Sequence, residues 1–173
     1  MFNKIFLASL LALTLSHATD EFSSERLLGI EVGYAGLETK DAIGLDSSIK
    51  NVEFGFRIGA QNRDWRTLIV GDLSKSKGHK YQKAMLTFDK FVWQSLYKKD
   101  NIVFKPYLSG HLGWIKHTAH NESESSLIYG AGAGLVWNVL DEVDFDLGYR
   151  YSMTQLDSLD SMDTITFGVN YIY

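Results

Sequence analysis

The sequence predicts an all-β fold: an eight-stranded antiparallel up-and-down β-barrel that crosses a membrane with its strands. Three observations predict it. Eight segments alternate apolar and polar residues with period two, the mark of a strand with two different environments on its two faces. The polar stretches between them alternate long and short, as extracellular loops and periplasmic turns do. Beyond the N-terminal leader, no helical period interrupts the series and no apolar run could span as a helix.

The clearest strand is the last, Thr164 to Tyr173. Ile165, Phe167, Val169, Tyr171 and Tyr173 occupy the odd positions, and the even ones are polar or Gly until Ile172. Before it come strands at Leu27–Leu37, Ile49–Gln61, Trp65–Ser74, Tyr81 to about Tyr97, Ile102–Lys116, Leu127–Val139 and Val143–Met153. In the second, Val52, Phe54, Phe56 and Ile58 oppose Asn51, Glu53, Gly55, Arg57 and Gly59; in the seventh, Phe145, Leu147, Tyr149 and Tyr151 oppose Asp144, Asp146, Gly148 and Arg150. In the third, Trp65, Thr67, Ile69 and Leu73 face outward and Arg66 and Asp72 inward. The fourth breaks parity: Leu86 and Phe88 put even positions outside, Phe91, Trp93 and Tyr97 odd ones. A bulge near Asp89-Lys90 reconciles them, because one extra residue flips the face. The long connections are Glu38–Ser48, Lys75–Lys80, His117–Ser126 and Thr154–Asp163; the short ones are Asn62–Asp64, Lys98–Asn101 and Leu140–Glu142.

The front of the chain reads as a secretory signal peptide. Lys4 precedes the uncharged, largely apolar run Ile5–Leu15, and Ser16-His17-Ala18 offers a cleavage site. The run is too short for a membrane anchor, and Asp20, Glu21, Glu25 and Arg26 follow it closely. Residues 1–18 are therefore expected to be the leader and 19–173 one barrel domain. With no Cys, an exported domain of this size needs a full core or a membrane for its stability. The formal net charge of −4 is unclustered and points to no nucleic-acid partner.

Alternation does not say which face is outside, and a soluble barrel with an apolar cavity is the inverse solution. Two features favour the membrane. The apolar faces carry Tyr34, Trp65, Trp114, Trp137, Tyr151, Tyr171 and Tyr173 near strand ends, where interfacial girdles of aromatics sit. The polar faces carry Gly and charges of both signs, which suits a tight lumen better than a solvated surface. An even strand count leaves both termini in the periplasm.

Lys105-Pro106-Tyr107, Leu112-Gly113-Trp114, the Tyr129–Gly134 run, Leu147-Gly148-Tyr149-Arg150-Tyr151 and the Tyr171-Ile172-Tyr173 end follow one another in order and spacing. In these the chain resembles the small OmpA/OmpX-like, opacity-type eight-stranded outer-membrane barrels, with Tyr173 where that family usually ends in Phe. The resemblance covers nearly all of the chain after the leader. It implies outer-membrane lipid as surroundings, delivery by the barrel-assembly machinery through the C-terminal strand, and recognition of any extracellular ligand by the loops.

Glu31, Glu53, Arg57, Arg66, Asp72, Asp144, Asp146 and Arg150 are expected to point into a lumen only wide enough for side chains, where charges must pair. They read as a salt-bridge plug; a narrow ion path is the alternative. His117, His120, Glu122 and Glu124 in one loop and His79 in another have no fixed metal-ligand spacing and read as solvated residues, so no metal or cofactor is assigned. His120 with Ser123 or Ser125 could be base and nucleophile of a lipid A-modifying enzyme, yet they lie in a loop. His111 reads as a hydrogen-bonded packing residue. The sequence thus favours a non-enzymatic envelope protein with a structural or surface-interaction role; a lipid A-modifying enzyme, a soluble periplasmic ligand-binding barrel and a narrow porin are the alternatives.

Overall fold

The computed structural model describes residues 24–40, 46–76, 79–93, 97–99, 102–119, 122–140, 142–156 and 159–173. Residues 1–18, expected as the leader, and the short segments 41–45, 77–78, 120–121 and 157–158 lie outside the described residues. Among the described residues nine strands form: β1 (Glu25–Lys40), β2 (Asp46–Gln61), β3 (Trp65–Ser76), β4 (His79–Phe91), β5 (Tyr97–Lys99), β6 (Ile102–Ala119), β7 (Glu122–Leu140), β8 (Val143–Leu156) and β9 (Leu159–Ile172). Every pairing is antiparallel. β4 pairs with β6, the short β5 continues β4's position along β6, and β9 returns to pair with β1. The result is a closed eight-stranded barrel. At one end Arg26 and Tyr173 exchange main-chain hydrogen bonds of 3.1 and 2.9 Å, so both described chain ends meet there. The opposite end is called the far mouth below.

The outer face is apolar. Ile30, Phe54, Phe56, Leu86, Leu108, Leu112, Ile165 and Phe167 are all exposed. Along β8 the outward set runs from Val143 to Met153; at about 3.3 Å per residue and a tilt of about 40° it rises about 25 Å, the height of an outer-membrane apolar band. The inner face is mixed. Beside its polar residues it buries Leu27, Ala35, Leu37, Leu68, Val70, Met85, Ile115, Ile128, Leu159 and Met162 in one cluster, and Phe91, Tyr107 and Val136 in another.

The structure corrects two expectations. β4 has no bulge at Asp89-Lys90: its register against β3 and β6 is unbroken to Phe91, which is buried on the inner face. The ladder stops one residue later, where Val92 N donates to Pro106 O at 2.9 Å. Pro106 has no N–H to return the bond, so the pair is half made and the strand leaves the sheet. The stretches expected as long loops are mostly strand. Glu38–Lys40 pair with Asp46–Ser48, Lys75 with Lys80, and His117–Ala119 with Glu122–Glu124. Where both faces of a ladder meet water, its hydrogen bonds persist but the apolar alternation disappears. The tight turn at Asn62–Asp64 is present, with Asn62 Oδ1 accepting from the N–H groups of Asp64 and Trp65, each at 2.8 Å.

One packing detail is testable. Tyr107 lies over the bare backbone of β7 and β8: a Cβ at Gly134 would collide with its ring, and one at Gly148 would meet its hydroxyl at 2.7 Å. The ring cannot swing away without losing the 2.9 Å hydrogen bond from Tyr107 Oη to Asp146 Oδ1. Gly134→Val is expected to destabilise the refolded barrel by about 1–3 kcal/mol, as overpacking does; an unchanged urea midpoint would show that the ring moves freely.

Candidate functional site

The interior is built on inward positions of five strands. β1 contributes Glu31, β2 Glu53 and Arg57, β3 Arg66 and Asp72, β4 Lys83 and Asp89, and β8 Asp144, Asp146 and Arg150; all of these ionisable side chains are buried. Nine of them form an unbroken chain of alternating sign. Asp89 accepts from Arg66 at 2.7 Å, and Arg66 reaches Asp146 at 2.6 Å. Asp146 meets Arg57 at 3.1 Å, and Arg57 is paired with Glu31. Glu31 also holds Arg150, which lies 3.7 Å from Asp72. Lys83 closes the series, 3.4 Å from Asp72 and 2.7 Å from Glu53.

Some of these pairs join strands that the ladder does not. Arg66–Asp146 ties β3 to β8 and Arg150–Asp72 ties β8 to β3, strands that are not neighbours in the barrel. The chain therefore crosses the interior repeatedly. Arg66 is 1% exposed, and its guanidinium also lies 4.9 Å from the Tyr107 ring centre and 5.8 Å from that of Phe91. Asp144 accepts from Gln61 at 3.4 Å and from Asn138. A cavity of about 20 Å³ beside Glu31, Arg57, Arg66 and Tyr107 has room for about one water. His111 is buried, with Nε2 2.8 Å from Ser152 Oγ.

The eight charges singled out from the sequence thus all turn inward. Lys83 and Asp89 were not among them: the bulge expected at Asp89-Lys90 obscured Asp89, and Lys83 was left unnamed although Leu86 and Phe88 already turn it inward; both sit at odd positions in register with the inward Asp72 and Arg66. Of the aromatics, Tyr34, Trp65, Trp114, Tyr151, Tyr171 and Tyr173 are exposed on the outer face. Trp137 is half-buried, packed against Phe145 at 5.8 Å and Phe167 at 6.2 Å between ring centres. Lys90 lays its ammonium 4.1 Å from the Trp65 ring centre.

At the far mouth the structure joins residues that the sequence left in separate loops. His117 sits on β6 opposite Tyr81 of β4 and Glu124 of β7. His79 Nδ1 is 3.0 Å from His117 Nε2, and the Tyr81 ring stacks on His117 at 4.5 Å. The outward neighbours here are Lys80, Lys116 and Ser125, so the cluster stands beyond the apolar band. Burial, and after it the neighbouring His79, hold the His117 imidazole below its ordinary range, while Glu124 pulls the other way. His120 lies outside the described residues. On the outer face of the same end, a groove of about 670 Å³ runs between Lys50, Lys75 and Lys80 and the apolar Tyr34, Val52, Phe54 and Leu73.

The family model of the outer membrane protein beta-barrel domain matches residues 5–172. The chain belongs to that family. Among solved structures it is similar to Neisserial surface protein A, with 16% identity over 86% of this chain and 97% of that one and a TM-score of 0.63. Outer membrane protein H (OprH) of P. aeruginosa matches with 22% identity, 86% and 99% coverage and a TM-score of 0.58. Ail, the attachment invasion locus protein of Yersinia pestis, solved in complex with the heparin analogue sucrose octasulfate, matches with 19% identity, 87% and 99% coverage and a TM-score of 0.50. At such identities these three show a common fold. No curated protein matches the chain.

The ion chain predicts strong coupling. Asp146 → Ala strips Arg66 and Arg57 of a shared partner and is expected to cost about 3–5 kcal/mol, read from the urea midpoint of the refolded barrel. Arg66→Ala combined with Asp146→Ala is expected to cost less than the sum of the single changes. Strict additivity would show that the pair does not act as a unit.

Proposed function

We propose that this chain is a closed, non-conducting outer-membrane barrel with a structural and surface-interaction role. The observation that carries this reading is the alternating ion chain inside an outer face that is apolar over about 25 Å. Charges that pair across the interior leave little open path, so the lumen is plugged by its own side chains. The aromatics Tyr34, Trp65, Trp114, Trp137, Tyr151, Tyr171 and Tyr173 serve as interfacial girdles. Residues 1–18 act as the export signal and 19–173 as the barrel domain. The end where Arg26 meets Tyr173 faces the periplasm, which puts the far mouth outside the cell. β9, with Tyr171, is the strand presented to the barrel-assembly machinery. We assign no enzymatic activity: His111 and Ser152, a close His–Ser pair among the described residues of the interior, are buried where no lipid chain reaches.

The plug is tested by conductance. The purified barrel in planar bilayers is expected to give no steady current. A stepwise ohmic current that falls on Arg150→Gln would overturn the plugged reading in favour of a narrow porin.

The surface role has its own support. Lys75 and Lys80 are directly opposite in register on the exposed outer face, with Lys50 in the same groove. Like charges placed so are unfavourable unless an anion lies between them. Beside Tyr34, Val52, Phe54 and Leu73, this arrangement suits an anionic headgroup of the outer leaflet with its acyl chain along the barrel. The Lys75→Ala, Lys80→Ala double variant is expected to bind lipopolysaccharide micelles several-fold more weakly than the parent, measured by fluorescence anisotropy of the labelled barrel. Equal binding would remove the groove from the surface role.

A further inference from the structure

We propose that the far mouth holds a site for a divalent transition metal, built on His79 Nδ1 and His117 Nε2. The two nitrogens already face each other at 3.0 Å. Two imidazole nitrogens bound to one metal at about 2.0–2.1 Å, at angles between square and tetrahedral, lie about 2.8–3.4 Å apart. The observed spacing falls in that interval. Without metal the contact is a hydrogen bond, with one of the two nitrogens protonated; metal binding displaces that proton, the donor ring then carrying its proton on its other nitrogen, so that both lone pairs reach the ion.

The backbone holds the pair in place. Tyr81 is paired with His117 across β4 and β6, and His79 is paired with Ala119, so the two histidines are diagonal neighbours on adjacent strands of one ladder. Tyr81 and His117 stack with ring planes within 9°, which restrains the His117 ring. The His79 ring lies within 9° of the His117 plane. His117 is buried while His79 is half-buried at the mouth, so an ion would enter from the His79 side and keep water in its other positions.

The charge balance agrees. Glu124 stands directly across from His117 on β7 and is exposed, placing a carboxylate next to the site. Among the described residues no three His, Asp or Glu side chains are already gathered as a ligand set. The site is therefore a two-imidazole site completed by water. Imidazole donors select copper, nickel and zinc over magnesium and calcium.

The test uses the untagged barrel, refolded in detergent, titrated with CuCl₂ by calorimetry, with electron paramagnetic resonance of the bound ion. One saturable site per chain with hyperfine splitting from two nitrogens is expected. His79→Ala and His117→Ala should each weaken binding at least tenfold, His79→Gln likewise, and His120→Ala should leave it within twofold. Folding of each variant is checked by the mobility shift of unboiled samples on SDS gels. The proposal is overturned by the absence of saturable binding, by retention of affinity in folded His79→Gln, or by loss of affinity in His120→Ala.

Discussion

The pairing of β1 with β9 is the contact on which the rest of the structure depends. In hydrocarbon no water can satisfy a main-chain N–H or C=O, and an open edge would leave a whole row of them unpaired. The register from Leu27–Ile172 to Glu38–Ser161 removes that edge and turns a sheet into a tube. Closure then dictates both faces. The outside must be apolar over the thickness of the bilayer, and the inside becomes a narrow space that only side chains can fill. Because the period of a strand is two, the residues that fill it come from every second position of the same segments that meet the lipid. The polar half of each strand has nowhere else to go.

Ladder bonds join neighbours only. The interior ion pairs add ties of another kind, between β8 and each of β1, β2 and β3, so that opposed walls of the tube are held at fixed height. Burying ionised groups is costly, and a well-packed apolar interior of the same volume could be more stable. What alternating charge contributes here is register. A slip of one residue in any strand would move its charges to the lipid face and its apolar set into the lumen, at about 2–4 kcal/mol for each Arg or Lys placed near the bilayer midplane. Glycines opposite the large residues belong to the same solution: Gly134 and Gly148 leave the space that Tyr107 occupies, and Tyr107 in turn supports Asp146 and flanks Arg66.

Where lipid lay on one face and side chains on the other, the sequence was readable. β1, β2, β8 and β9 alternate cleanly, and their inward charges could be named from parity alone. β4 could not, because Phe91 is an aromatic that points inward to pack on Tyr107 at 6.5 Å between ring centres, so it counterfeits an outward position. That one misplacement obscured Asp89, one of the nine members of the ion chain. Leu68 and Val70 on β3 are the same case with aliphatic side chains. At the far mouth the signal vanished for the opposite reason. Both faces of β1, β4, β6 and β7 are polar there, and a ladder in water carries no hydrophobic period even though its hydrogen bonds continue.

Arg66–Asp89 and Asp72–Lys83 follow from the pairing of β3 with β4, but which cation meets which anion across the lumen was not legible, and the reason is geometric. Partners such as Arg66 and Asp146 belong to strands that share no ladder, so their relative height depends on the stagger accumulated around the whole barrel. Cross-strand neighbours are different: once β4 is placed against β6, the approach of His79 to His117 follows from register, since Tyr81 faces His117 and His79 is two residues further on. The distinction separates two classes of inference for barrels of this size. Contacts along one ladder follow from pairing alone, whereas contacts through the lumen require the closed tube. Ion pairs such as Arg66–Asp146 belong to the second class and the histidine pair to the first. A substitution that merely perturbs closure should therefore disturb the interior pairs before it disturbs the mouth.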